Sequence, residues 1–246
     1  MIKLSVALPV FNSKKIVWLA MESLCRQQDT DFEWELIIIE ENDGGQFGAD
    51  NFNSYSARLQ KIGCVNIVYV ALDKWIPLGQ KWKEIGVRCN PTSDTFILQA
   101  ADCYSEPKRL KTTHDLIQQG YDWIQNKRGL FIDLRTKEHI LYSDLTFKQK
   151  CGLNMATKVE YIRALPDNDR RAIVDGWLYN TIKPKNPHSI VCNDNWKYGV
   201  DTHGLNNISK KRGKFFRDIK FPFESTDLKI INFMPKDIVN KLYSLI

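Results

Sequence analysis

The sequence lacks most of the features that would fix a function at sight. No apolar run approaches the roughly 18 residues of a membrane span. The N-terminal "MIKLSVALPVF" breaks at Pro9 with no small-residue cleavage site behind it, so it reads as a first strand and not as a signal peptide. Six cysteines are scattered at positions 25, 64, 89, 103, 151 and 192, and none forms CxxC. This fits buried, reduced thiols in a cytosolic protein better than a disulfide framework or a zinc site. Neither GxGxxG nor GxxxxGK[ST] occurs, so any bound phosphate needs a neutraliser other than a glycine-rich loop, such as a divalent cation held by carboxylates. Internal repeats and low-complexity segments are absent as well.

What remains is an ordinary globular balance in 246 residues, with 43% hydrophobic and 26% charged residues. The formal net charge of +6 is concentrated. Lys210, Lys211, Arg212, Lys214, Arg217 and Lys220 face one acid, Asp218, in a single short segment interleaved with Phe215, Phe216, Phe221 and Phe223. Such a patch suits nucleic acid, anionic lipid, or a solvated segment anchored by its aromatics, and the pattern leaves the three open.

Hydrophobic periodicity predicts an α/β fold. Ile2 to Val10 reads as a strand, "WELIIIEEND" as a second, residues 65–72 as a third and "DTFILQA" as a fourth. The continuous Ile37-Ile38-Ile39 run implies burial on both faces, as in a parallel sheet. Asn12 and Ser13 offer a helix N-cap ahead of Val17 to Leu24, and "PLGQKWKEIGVRC" reads as a helix. From about residue 120 the rhythm changes, and 122–143 alternates like one hairpin turning near Arg135 to Lys137. Helices are expected at Lys158 to Leu165 and around Val174 to Ile182. Beyond Asn186 the chain reads as polar and irregular until the basic segment. A last amphipathic stretch sets Ile238, Val239, Leu242 and Leu245 on one face, to dock on the body or on a partner subunit.

Acidic or polar residues fall at three predicted strand ends: Pro9 to Asn12, Glu40 to Asp43, and Asp102. In an open parallel sheet these ends lie side by side and form a ligand crevice. Taken alone, each acid could equally be a cap or a solvated turn. Asp102 could cap a helix over Lys108 to Gln118, Asp175 could cap its own turn, and His203 beside Gly204 could be a plain turn residue. Trp177 and Trp196 suit sugar stacking or burial alike. His114, His139 and His188 show no ligand spacing.

The order of motifs carries a resemblance. "SVALPVFNSKKIVWLAMESLCRQ" followed by "FEWELIIIEENDGG" resembles the opening of the family 2 glycosyltransferases of the GT-A fold. "LGQKWKEIGVRCNPTSDTFILQAADCYSEP", "GLNMATKVEYIRALP", "AIVDGWLYNTI" and "DTHGLNNIS" follow in that family's order over roughly residues 3 to 210. The resemblance implies a GT-A-like, mainly parallel sheet flanked by helices: a domain over 1–209, with a nucleotide-sugar part (1–110) and an acceptor-side part (111–209), and a C-terminal extension, 210–246.

It also implies roles. Pro9, Phe11 and Asn12 frame the base, Glu41 stands where an acid reads it, and Lys83 lies close to the nucleotide, with a UDP-sugar favoured. Ala101 and Asp102 close the D-x-D strand, and Asp102 with His203 would hold Mn2+ or Mg2+. Asp175 matches the general base of an inverting transfer, with Asn154 and Trp177 on the acceptor side. Lys210, Lys211, Arg212 and Lys214 would meet an acidic partner, either DNA carrying a hydroxylated or modified base or an anionic envelope glycan reached at the inner membrane face. Two departures stand out: Ala100 replaces the first Asp of D-x-D, and Val174 replaces the Glu before Asp175. The first opens an alternative, an inactive relative that binds carbohydrate or nucleic acid.

Overall fold

The computed structural model describes residues 1, 3–41, 46–127, 129–134, 138–142, 155–170, 174–190, 200–203, 223–225 and 234–245. The first half alternates strand and helix: β1 (Leu4–Val10), α1 (Val17–Leu24), β2 (Trp34–Glu41), α2 (Ala49–Asn53), α3 (Ser56–Gln60), β3 (Cys64–Leu72), α4 (Leu78–Arg88) and β4 (Thr95–Leu98). A short β5 (Cys103–Tyr104) and α5 (Arg109–Gln118) follow. The second half contains β6 (Trp123–Asn126), β7 (Gly129–Asp133), β8 (Glu138–Tyr142), β9 (Ala156–Lys158), α6 (Val159–Arg163), α7 (Val174–Ile182), β10 (Pro187–Ile190), β11 (Val200–His203), β12 (Phe223–Ser225) and α8 (Lys236–Tyr243).

The main sheet runs β10-β6-β9-β4-β1-β2-β3 among the described residues. Strands β3, β2, β1 and β4 are all parallel, and β9 is antiparallel to both of its neighbours. The isoleucine run of β2 shows why both faces are covered. Leu36 and Ile38 join one core with α1, α2, α3 and α5, whereas Ile37 and Ile39 join the other with α4, α6 and α7. The chain winds outward from β1 through β2 to β3, then returns over the opposite face through α4 to β4. This reversal makes β1/β4 the topological switch point, outside whose carboxyl ends ligands bind in open α/β sheets.

A second sheet runs β12-β8-β7-β11-β5 among the described residues. A third apolar cluster joins Tyr104 of β5 and Ile132 of β7 to Trp18 and Leu19 of α1 and to Ile238, Val239 and Leu242 of α8. The C-terminal amphipathic helix therefore docks on the body.

Three sequence expectations are corrected. Helix α1 begins at Val17, not beside Asn12. Asn12 adopts a left-handed φ of 48°, and the Ser13 carbonyl, not its side chain, receives the N–H groups of Ile16 and Val17. The 122–143 stretch is divided: β6 pairs with β9 and β10 in the main sheet, and only β7 and β8 form the hairpin. The turn at 135–137 lies outside the described residues. The stretch beyond Asn186 contributes β10 and β11. Their sequences, "PHSI" and "VDTH", are short and polar, and it is pairing with distant strands that makes them extended.

Candidate functional site

The site is built on the turn after β4. The Gln99 N–H bonds to the Ala7 carbonyl at 2.8 Å, continuing the ladder with β1. Its side chain folds inward, and Nε2 donates to the carbonyls of Ala100 (3.1 Å) and Cys103 (2.9 Å). The Cys103 N–H closes the turn on Ala100 O at 3.2 Å. Ala101 is buried at the apex, while Asp102 beside it is half-buried, with Oδ1 3.7 Å from the Cys103 thiol.

Arg109 forms the floor of this turn. Its guanidinium donates to Gln99 Oε1 (2.8 Å), Ser105 Oγ (2.8 Å) and the Leu98 carbonyl, all neutral acceptors. Full burial pushes the guanidinium pKa down to about 9. Asp102 does not cap the following helix: the N-cap of α5 is Lys108, and the Leu110 N–H is taken by Gln27 Oε1 at 3.0 Å.

Strand β5 then brings in the distant partner. It pairs antiparallel with β11 in the register Val200↔Tyr104 and Asp201↔Cys103. Asp102 immediately precedes β5, and His203 ends β11 two residues beyond Asp201. Two segments about a hundred residues apart thus converge at the switch point. A carboxylate and an imidazole are donor types that suit Mn2+ or Mg2+, and Mg2+ commonly takes only one or two protein donors beside phosphate oxygens. Among the described residues no cluster of three His, Cys, Asp or Glu side chains is arranged to hold a metal.

The ends of β1 and β2 hold a second constellation. Glu41 is buried, with Oε1 accepting from the Ile76 N–H at 2.6 Å and Oε2 ion-paired to Lys81 Nζ at 2.8 Å. Lys81 in turn lies 5.0 Å from the centroid of the Phe11 ring. Burial lowers the Lys81 pKa, while Glu41 pulls it back up. Lys83, two positions along α4, is rotated about 200° around the helix axis. It meets Asp167 at 2.6 Å, and that ammonium holds the Asp167 carboxyl below its usual range.

Asp175 is buried in the first turn of α7, where the helix N-terminus favours a carboxylate. Val174 and Leu178 fix that helix against Phe96 and Leu98 of β4. Trp177 is half-buried against the same cluster. Pro9 is half-buried one residue before the end of β1, and Asn12 is exposed in its left-handed conformation, which Asn tolerates better than most residues. Asn154, Lys210, Lys211, Arg212 and Lys214, and the side chain of His203, lie outside the described residues.

Two residues of this region were not singled out in the sequence, Lys81 and Arg109. Lys81 had a signal: with Ile85 and Cys89 it occupies one helical stripe, a lone cation in an apolar row. Arg109 had none, because nothing local announces that its helix faces the β4–β5 turn.

Comparison with solved structures bears on the architecture. S. aureus TarS 1-349, solved in complex with UDP-GlcNAc, superposes with a TM-score of 0.62 at 13% identity, over 82% of this chain and 58% of that one. The mannosyltransferase PcManGT from Pyrobaculum calidifontis, solved with GDP-Man and Mn2+, gives 0.57 at 11% identity, over 85% and 59%. The fold is GT-A-like. This GT-A-like chain spans only 37% of the longer TarS structure. No protein-family model matches the sequence, and no curated protein does.

No helix among the described residues is long and apolar enough to cross a membrane.

Proposed function

We propose that the protein is a metal-dependent, inverting glycosyltransferase that moves a sugar from a nucleotide-diphosphate sugar to an acceptor hydroxyl. The observation that carries this reading is the convergence of β11 on the Asp102 turn at the switch point of a GT-A-like sheet. It is further supported by the ligands of the structural neighbours, UDP-GlcNAc and GDP-Man.

Pro9, Phe11 and Asn12 frame the base at the end of β1, which leaves the diphosphate near the Asp102 turn. Asp102 and His203 would hold Mn2+ or Mg2+, which supplies positive charge for the departing diphosphate. Asp175 accepts the proton of the acceptor hydroxyl as that oxygen attacks the anomeric carbon. The bond from that carbon to the diphosphate oxygen breaks, its electron pair leaves with the nucleoside diphosphate, and configuration inverts. Lys83 reaches the donor only by leaving Asp167, so it is the weakest member of the set.

On the acceptor side stand Trp177 and Asn154, with the basic segment at 210–220 meeting an anionic acceptor, DNA or an envelope glycan. Salt-sensitive DNA binding that disappears when Lys210, Lys211 and Arg212 are neutralised selects the first; its absence selects the second.

Ala100 favours a second reading, a catalytically weak or inactive relative that binds carbohydrate or nucleic acid. A panel of UDP-, GDP- and CDP-sugars separates the two. Donor hydrolysis that stops on EDTA addition supports the enzyme, and binding with persistent silence supports the second reading.

A further inference from the structure

Glu41 occupies the position from which an acid is expected to accept a hydrogen bond from the nucleobase. Its surroundings do not allow this. Its side chain has no exposed surface, and the Lys81 side chain paired to it is 2% exposed. One oxygen receives the Ile76 N–H and the other faces the Lys81 ammonium. Turning either oxygen toward a ligand would strip a backbone N–H of its acceptor or leave a buried ammonium without its counter-charge.

What the pair does present is Phe11. The Lys81 ammonium lies 5.0 Å from the ring centroid, within the range at which a cation is attracted to an aromatic face. The ring is half-buried, and the residue that follows it, Asn12, is left-handed at φ 48°. Glu41 pairs with Lys81, Lys81 lies over the ring, and the ring stands immediately after the end of β1.

Building on the nucleotide-sugar reading, we infer that Glu41 and Lys81 are a positioning pair for Phe11, so that the base is bound by stacking and not by a carboxylate reading its imide N–H. The chemical consequence concerns N3. Uracil carries a proton there, cytosine a lone pair, and N3-methyluracil a methyl group. A carboxylate reader accepts the first and rejects the other two by orders of magnitude, because its own charge is left buried and unpaired. A stacking platform treats the three alike.

The test is calorimetric titration of the full chain with UDP, CDP and N3-methyl-UDP in the presence of Mn2+. The inference expects the three affinities to agree within about tenfold. Lys81→Met should weaken all three in parallel, and Lys81→Arg, which keeps the charge over the ring, should restore them. A UDP preference beyond about tenfold over either analogue overturns the inference while leaving nucleotide binding intact. Binding unchanged in Lys81→Met overturns the positioning role, and so does failure of Lys81→Arg to restore it. Should Lys81→Met not fold, the wild-type ligand series decides alone. Absence of binding by any nucleotide removes the glycosyltransferase reading, and this inference with it.

Discussion

Replacing Arg109 with alanine should be the most damaging single change near the site. The guanidinium is fully buried and donates to Gln99 Oε1, Ser105 Oγ and the Leu98 carbonyl. After truncation, Ser105 Oγ still donates to Gln99 Oε1 at 2.5 Å, so those two groups keep one partner. The Leu98 carbonyl loses its side-chain donor, and a cavity opens beneath the turn. A stranded buried acceptor costs about 1–3 kcal/mol, and truncating a long buried side chain costs about 2–5 kcal/mol where the cavity cannot collapse. Partial collapse brings the sum to about 3–5 kcal/mol, or roughly 6–20 °C in Tm at about 2–4 °C per kcal/mol for a chain of this length. Arg109→Met should be milder than alanine, because it fills the volume and removes a buried charge that has only neutral acceptors. Urea denaturation of the three proteins, followed by far-UV circular dichroism, measures the order. An alanine variant within about 1 kcal/mol of wild type would refute the argument, since a buried hydrogen-bonded cation cannot be that dispensable.

Gly86→Ala should destabilise although alanine is the better helix former. A Cβ there would run into Ile162 Cγ2 and lie 3.1 Å from Ile162 Cβ, so overpacking of about 1–3 kcal/mol outweighs roughly 1 kcal/mol of helix propensity. A thermal melt reads the balance, and a neutral or stabilised variant contradicts the close α4–α6 packing. The Glu22 carboxyl is held below its usual range chiefly by its hydrogen bond from Arg58. Its stabilisation is therefore present above the unfolded pKa, near 4.5, and is lost as pH falls through the lower folded value. Glu22→Gln should flatten the stability profile on the acid side of the unfolded pKa in urea melts, and an unchanged slope would remove Glu22 as its source. Asp175→Asn should abolish sugar transfer while nucleotide-sugar affinity holds; transfer at wild-type rate would dismiss the base assignment.

The parts of the fold that were legible in the sequence are those whose pattern is local. β2 declares itself through a continuous apolar run, because both of its faces are buried. Helices α4 and α7 declare themselves through their spacing. What was illegible depends on distant partners. Strand β9, three residues long, has no pattern of its own and exists because it fits between β4 and β6. The start of α1 was misplaced because Asn12, a good N-cap by type, was needed for a left-handed turn instead. At the site the same rule holds. Asp102 is visible because it follows an apolar strand run, whereas the burial of Lys81 and Arg109 depends on what packs over them.

The three acids of β2 show why residue type at a strand end does not assign a role. Glu35 bonds to Ser5, Asn66 and the Asn90 N–H. Glu40 accepts from the Phe47 and Gly48 N–H groups and from the Tyr69 hydroxyl. Glu41 accepts from the Ile76 N–H and pairs with Lys81. Each is buried, and each ties an adjoining loop or strand to the sheet through a backbone or side-chain donor. A carboxylate so engaged has its lone pairs committed, and redirecting them toward a ligand would unfasten the loop it holds. Asp102 differs in placement. It is half-buried, in a turn held by the Gln99 amide and the Arg109 guanidinium. What decides the role of a strand-end acid is therefore which donors already hold its oxygens, and for Glu35, Glu40 and Glu41 those donors belong to neighbouring loops and strands.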